Sequence, residues 1–321
     1  MIEVSKKDKK VTVIGGGTGL STLLRGLKRY TEDITAIVTV GDDGGGSGIL
    51  RKDLGILPPG DIRNCILALA DTEPLMEKLL QFRFNEGNLK GQNFGNLFLA
   101  AMTGISNNNF MEAIKRMSDV LAVKGMVLPV TLDNMTLSAE LENGEIIKGE
   151  SKIPKKVIEH KSRIKRMNIE PRGARAPIEA IEAIENSDII VIGPGSLYTS
   201  IIPNLLVQDI KEALLRANGR KVYISNIMTQ QGETDNYKVS DHVRAIIKHS
   251  SPKIIDEIIA NIGEINNFYI EKYEMENSEK VELDIENLSG YNVIKENIVS
   301  FSKKYARHDS DKLAEIIFNA V

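Results

Sequence analysis

The sequence predicts an α/β fold on a mainly parallel sheet, and three observations predict it. Short apolar runs alternate with segments of helical apolar spacing. Several runs end abruptly in glycine-rich loops that open a helix, the strand–turn–helix step of a parallel sheet. One central stretch breaks the rhythm with strict alternation and an Asn-Gly turn, which marks an antiparallel hairpin insertion.

Val11 to Ile14 reads as the first strand, followed by a helix with Leu20, Leu23, Leu24 and Leu27 on one face. Ile34 to Val40 reads as the second strand, and residues 41–60 as a long polar, glycine-rich loop. Asp61 is placed to cap the next helix, whose apolar face is Ile62, Ile66, Leu69 and Ala70. Further helices are expected near 74–85, 92–103 and 109–123. From about 126 to 172 the alternation around Asn143-Gly144 predicts the antiparallel insertion. The α/β rhythm returns with a helix near 177–186 and the strand Asp188 to Ile192, which ends in GPGSLYTS. A helix bearing Leu206, Ile210, Ala213 and Leu214, the strand Lys221 to Ser225, and a final helix with Leu313, Ile316, Ile317 and Ala320 complete the pattern. With no repeat and no Pro/Ser-rich linker, residues 10–321 read as one domain after a flexible lead-in, 1–9.

Composition narrows the function. Of 321 residues, 41 are Lys or Arg and 44 Asp or Glu, for a net charge of −3, so no basic surplus marks a nucleic-acid binder. No apolar run approaches the ~18 residues of a membrane span, so no membrane insertion is expected. The N-terminal MIEVSKKDKK lacks the apolar stretch of a secretory signal, and the expected compartment is the cytoplasm. One cysteine, Cys65, shares the apolar side of its helix and reads as a buried small hydrophobe. His160, His242, His249 and His308 form no zinc motif; His308 beside Asp309 reads as a helix start. No GxSxG elbow and no general base emerge, so no catalytic residue is assigned.

Three loops carry the chemistry. Gly15-Gly16-Gly17-Thr18-Gly19 stands between a strand and a helix, where bare backbone N–H groups and the helix dipole suit an anion. It is not a Walker A loop, because Leu20 stands where lysine is required. Leu20 also weakens a dinucleotide fingerprint, although Asp42 lies at the distance of a ribose-binding acid. In the second loop, Asp42 and Asp43 fit Mg²⁺ held against a diphosphate, with Arg51 and Arg63 as phosphate contacts. The third constellation joins Gly193-Pro194-Gly195-Ser196-Leu197-Tyr198-Thr199-Ser200 to Asn226-Ile227-Met228-Thr229, hydroxyls and amides suited to a sugar or base beside the strand ends.

VTVIGGGTGLSTLLRGLK, VTVGDDGGGSG, LPPGDIRN, IGPGSLYTSIIPNLLV and SNIMTQQGETD together resemble the YvcK family of gluconeogenesis factors, within the CofD-like superfamily. The resemblance runs from about Lys10 to the C-terminal YARHDSDKL. It implies a CofD-like, Rossmann-related three-layer α/β/α fold and a nucleotide-sugar ligand, UDP-N-acetylglucosamine in type. It implies further a regulator of cell shape under gluconeogenic growth, acting with cell-envelope regulatory proteins, and a homodimer as a family-level expectation. The alternative it implies is a Mg²⁺-dependent transferase, since CofD itself moves a phospholactyl group from a guanylylated donor to a deazaflavin precursor. Phosphate roles carry to Gly15 through Gly19, nucleotide roles to Asp42 and Asp43, and ligand-loop roles to Ser196, Tyr198, Thr199 and Asn226. Tyr273 would offer a ring face to the base, and Arg307 a cation to the diphosphate. The chain departs from the family pattern at Gly46 and Ile49, where a polar and a basic side chain are expected. Ordering of the 41–60 loop by ligand is the expected switch.

Overall fold

A computed structural model describes residues 8–301 and 305–319; most of the lead-in and Ala320 lie outside the described residues. Seven strands form the central sheet in the order β10-β9-β8-β7-β1-β2-β3, every neighbouring pair parallel. The inner strands β1 (Val11–Gly15), β2 (Ile34–Val38) and β7 (Ile189–Ile192) are buried along their whole length. That accounts for their unbroken apolar sequences, since a parallel sheet is covered on both faces.

The chain leaves β1 in one direction through β2 to β3 (Met126–Pro129), and leaves β7 in the other through β8 (Arg220–Ile224) and β9 (Glu257–Asn261) to β10 (Asn292–Glu296). Because crossovers are right-handed, this reversal puts α1 (Gly17–Leu27) and α10 (Gln208–Arg216) on opposite faces of the sheet. α1 packs against α3 (Gly60–Leu69) and α13 (Ser310–Asn319), and α10 against α8 (Ile178–Glu185). Leu20, Leu23, Leu24 and Leu27 are fully buried, as their spacing predicts, and Cys65 lies in the same core.

α4 (Pro74–Gln81), α5 (Phe94–Ile105) and α6 (Phe110–Val120) take the expected places. Two expectations change. Met126–Pro129, expected within the insertion, is instead the edge strand of the main sheet, paired parallel to β2. The antiparallel part is β4 (Thr136–Leu141), β5 (Ile146–Lys148) and β6 (Ile164–Glu170), with α7 (Ile153–His160) between the last two. The second change is α2, a helix over Gly45–Leu54 where a loop was expected. Ser47 and Leu50 bury its inner face, and Gly55 closes it in the left-handed conformation at φ 67°, donating to the Arg51 carbonyl. A segment already helical leaves no twenty-residue loop for a ligand to order.

No described helix is long and apolar enough to cross a membrane. His242 and His249 are buried in α11 (Val239–His249), and desolvation lowers both imidazole pKa values. His308 ends a short strand, β12 (Ala306–His308), after β11 (Val299–Phe301), rather than opening the last helix. The cap belongs to Asp309, whose Oδ1 accepts from the N–H groups of Asp311 and Lys312.

Candidate functional site

The sheet reverses direction between β1 and β7, and the crevice beyond their carboxyl ends is where ligands bind in open α/β sheets. The Gly15–Gly19 and Gly193–Ser196 loops leave those two strands and press together there. A Cβ on Gly19 would stand 2.7 Å from the Pro194 carbonyl oxygen, and one on Gly195 3.1 Å from that of Gly16. A Cβ on Gly16 would meet Thr39 Cγ2 at 2.6 Å and Asp61 Oδ2 at 2.9 Å. These glycines are required by close approach. Asn204, fully buried, ties the loops from below, its Nδ2 donating to the carbonyls of Gly15 (3.1 Å) and Ser200 (2.7 Å).

Above this floor lies an open pocket. Gly16 to Gly19 and Arg307 line one side, Gly195, Ser196 and Ser200 the next, and Asn226 to Gln230, Tyr273 and His308 the remainder. The N-cap Gly16 has no side chain to cap α1; the Gly17 N–H goes to the Asp61 carboxyl, which leaves the Thr18 and Gly19 amides of the first turn for an anion. Arg307 reaches across the mouth, its Nη1 donating to Thr18 Oγ1 at 3.1 Å, and its guanidinium lies 5.3 Å from the Tyr305 ring centre. Tyr273, in α12 (Asn267–Met275), is held by its hydroxyl on the Ala306 carbonyl at 3.0 Å.

The far wall has the opposite polarity. Neither Asn226 Oδ1 nor Gln230 Oε1 has a hydrogen-bond partner among the described residues, although both atoms are buried; Gln230 Nε2 donates to Ser196 Oγ at 3.0 Å. Desolvation pushes the His308 imidazole down to about 4, so it is neutral at physiological pH. With Nε2 against the Ser225 carbonyl at 3.0 Å, Nε2 carries the proton and Nδ1 is left as an acceptor.

The structure thus brings together Gly16, Gly17, Thr18, Gly19, Gly195, Ser196, Asn226, Tyr273 and Arg307. It turns others away. Gly15 ends β1 and packs on Leu20, and Gly193 (φ 82°) turns the chain against Ile201. Tyr198 is buried with its hydroxyl on that of Tyr237 at 2.8 Å, and Thr199 donates to the buried Glu233 at 2.9 Å. Both belong to a π-turn, Leu197–Ile201, whose register sends Ser200 to the pocket and its neighbours to the core. Ser200, within the third loop singled out in the sequence, does line the pocket, whereas Thr22, Gln230 and His308 went unrecognised there. The SNIMTQQ run held the signal for Gln230, a second amide four residues after Asn226.

Asp42 and Asp43 lie outside this pocket, in an acidic cluster with Asp61 and Glu150. Asp42 Oδ1 accepts from the Gly44 N–H (2.8 Å) and Asp43 Oδ1 from the Ser151 N–H (2.9 Å) of the insertion. Asp61 does not cap α3, whose N-cap is Pro59; it faces the glycine loop. Desolvation raises its carboxyl to about 6, with Asp42 adding to the rise and the Gly17 N–H and Arg63 opposing it. Glu150, another residue without a sequence signal, rises to about 8 through desolvation and then Asp42, Glu233, Asp43 and Asp61. Among the described residues no three His, Cys, Asp or Glu side chains converge as an all-protein metal cage. Asp42 and Asp43, with the Arg51 guanidinium near both, are two hard carboxylates of the kind Mg²⁺ takes, completing its shell with phosphate and water.

The expected phosphate contacts Arg51 and Arg63 serve elsewhere. Arg51 binds Asn134 Oδ1 and the Met135 carbonyl, bridging α2 to the insertion. Arg63 is buried under Gly95, and desolvation lowers its guanidinium to about 10. At the two departures from the family pattern, Gly46 sits where a Cβ would approach Gln92 Oε1 at 3.0 Å, and Ile49 is exposed.

A seven-stranded parallel sheet with a glycine-lined helix start at its switch point defines a Rossmann-related α/β protein. The CofD family model, described as 2-phospho-L-lactate transferase CofD, matches residues 11–299, and the chain belongs to that family. Relatives named gluconeogenesis factor match over nearly the whole chain. The one from Bacillus subtilis is 50% identical over 96% of this chain and 96% of its own, and the one from Halalkalibacterium halodurans 48% over 97% and 96%. A crystal structure of a UPF0052 family member from Bacillus halodurans superposes with a TM-score of 0.93 at 48% identity, covering 97% of this chain and 99% of that one.

Proposed function

We propose that the pocket binds a nucleotide-sugar of the UDP-N-acetylglucosamine type. The protein would then act as a cytoplasmic regulator that couples precursor supply to cell shape under gluconeogenic growth, through cell-envelope regulatory proteins. The observation that supports this most is the pocket's polarity. One side offers the α1 amides of Thr18 and Gly19 and the Arg307 guanidinium, donors that suit a diphosphate. The other offers the unpaired acceptors Asn226 Oδ1 and Gln230 Oε1, which suit the N–H of a base or the hydroxyls of a sugar. Tyr273 adds an aromatic ring to the same pocket lining. The names of the relatives, gluconeogenesis factor, agree with the metabolic setting.

Calorimetric titration with UDP-N-acetylglucosamine, with and without Mg²⁺ and with GDP as competitor, tests the reading. Saturable binding with the ligand recovered unchanged is expected. Absence of UDP-sugar binding beside tight, Mg²⁺-dependent GDP binding would overturn it. Arg307→Ala removes a charge-assisted contact and should weaken binding ~10–100-fold.

The acidic cluster favours a second reading, a Mg²⁺-dependent transferase of CofD type. Asp42 and Asp43 would hold the cation, which would supply charge stabilisation to the nucleoside monophosphate expelled when the diphosphate bridge of the donor breaks and its other phosphate passes to the acceptor. Its test is Mg²⁺-dependent product from a nucleotide-linked donor in a screen of acceptors.

A further inference from the structure

The two edges of the central sheet differ in their cover. Three of the four residues of β3 are buried, whereas none of the five in β10 is. The ladder to β9 fixes which way the β10 backbone points. The Asn292 N–H donates to the Asp256 carbonyl at 3.2 Å, and the Ile262 N–H to the Glu296 carbonyl at 3.0 Å. In a parallel pair alternate residues bond the neighbour, so Asn292, Ile294 and Glu296 face β9. Val293 and Lys295 therefore turn their N–H and C=O groups outward, a template for one more strand. Along this edge runs a groove of 610 Å³ between β10 and α13. Asn292, Ile294 and Glu296 line it from the strand, as their alternation requires, and Lys312, Glu315 and Ile316 from the helix.

We propose that this edge docks an extended segment of a partner protein, which adds a strand beside Val293 and Lys295. In the groove it would seat an apolar side chain on Ile294 and Ile316 and, two residues on, a Lys or Arg on Glu296 and Glu315. The charges on the page require that chemistry. Arg220 takes up Glu257 at 3.1 Å, and Lys312 Nζ donates to the Asn297 carbonyl at 3.1 Å. Glu296 and Glu315 are exposed and make no ion pair among the described residues. From Ile262, bonded to Glu296, the chain enters residues 262–287, where eight Asp or Glu stand against two Lys. That surplus of six exceeds the net −3 of the whole chain, so a negative field lies over this end of the edge. A second copy of the chain does not fit, because β10 beside its own counterpart would bring the carboxylates of both grooves together. The proposal rests on the functional reading only in taking the protein to act through a partner.

The test is to pan a random peptide library displayed on phage against the full chain, then titrate the recovered peptides, made synthetically, by fluorescence anisotropy. They should carry a Lys or Arg two residues from an apolar residue and bind with micromolar Kd. Lys295→Pro removes an outward N–H and no bond to β9, so Tm should hold while the peptide Kd rises ~10-fold or more. Lys295→Ala keeps that N–H and should bind as wild type does. Glu315→Lys, at an exposed helix position, should also raise Kd ~10-fold. UDP-N-acetylglucosamine calorimetry on the same variants is independent of the edge, so failure of the docking site and failure of the ligand reading are told apart. No recovered peptide, peptides without a basic residue, a Kd unchanged in Lys295→Pro or in Glu315→Lys, or an equal loss in Lys295→Ala would each overturn the assignment.

Discussion

Gly19→Ala is the sharpest perturbation of the site, because a single methyl group separates the packing argument from helix propensity. Gly19 lies in the first turn of α1, and its added Cβ would stand 2.7 Å from the Pro194 carbonyl oxygen, 3.0 Å from its carbon and 3.2 Å from the Gly195 nitrogen. All three are backbone atoms, so no side-chain rotation relieves the contact. Ordinary carbon–oxygen contact requires the two loops to part by roughly half an ångström, an overpacking cost of about 1–3 kcal/mol. Propensity returns about 1 kcal/mol, since alanine is the better helix former. Net destabilisation is therefore about 0–2 kcal/mol, a small fall in Tm. The ligand pays more, because the shift falls on the amides that would hold its phosphates. Loss of good geometry in one such charge-assisted bond is worth about 1.5–3 kcal/mol, or ~10–100-fold in Kd. Gly104→Ala is the control: it is also helical, has nothing within 4 Å of its Cβ position, and should stabilise by up to about 1 kcal/mol with no effect on binding. Calorimetric melting and UDP-sugar titration of both variants decide the matter. A Gly19→Ala protein that matches Gly104→Ala in raised Tm and unaltered Kd would refute the close-contact account of the glycine loop.

Other outcomes follow from the same geometry. The Glu150 carboxyl is raised to about 8, so between its unfolded value near 4.5 and pH 8 the folded chain binds the proton more tightly than the unfolded chain, and stability falls as pH rises through that window. Glu150→Gln should raise Tm relative to wild type at pH 8 and much less at pH 5; equal shifts at both would show that burial among the acidic cluster is not the cause. Asp61, raised to about 6, adds a fall of the same sign between about 4 and 6. Tyr198→Phe should leave ligand affinity unchanged while costing about 1 kcal/mol of stability, because its hydroxyl bonds Tyr237 in the core. A large loss of affinity in that variant would return Tyr198 to the pocket.

Much of this molecule is legible along the chain, and the reason is periodicity. An apolar strand that stops at glycines and a leucine face at helical spacing are local signals, and local signals fixed β1, α1, β2, α3 and β7 within a residue or two. α2 escaped because its first four residues, Gly45, Gly46, Ser47 and Gly48, have poor helix propensity. What holds it is tertiary: buried Ser47 and Leu50, and a close approach of Gly48 to the Asp43 carbonyl that only a glycine permits. Met126–Pro129 escaped because four residues of strand do not say which sheet they will join.

The site divides in the same way. From the sequence come the glycine loop, the loop after β7, and with the family resemblance Tyr273 and Arg307, since each is a composition or a motif in one segment. Tertiary structure alone decided which members of each segment meet. The reversal of strand order between β1 and β7 brought loops some 180 residues apart into contact. One π-turn sent Ser200 outward and Tyr198 and Thr199 into the core. Folding also set Glu150, from the insertion, and Asp61, from the start of α3, beside Asp42 and Asp43. A side chain's direction and its electric field depend on neighbours distant in sequence, and no local pattern carries that information.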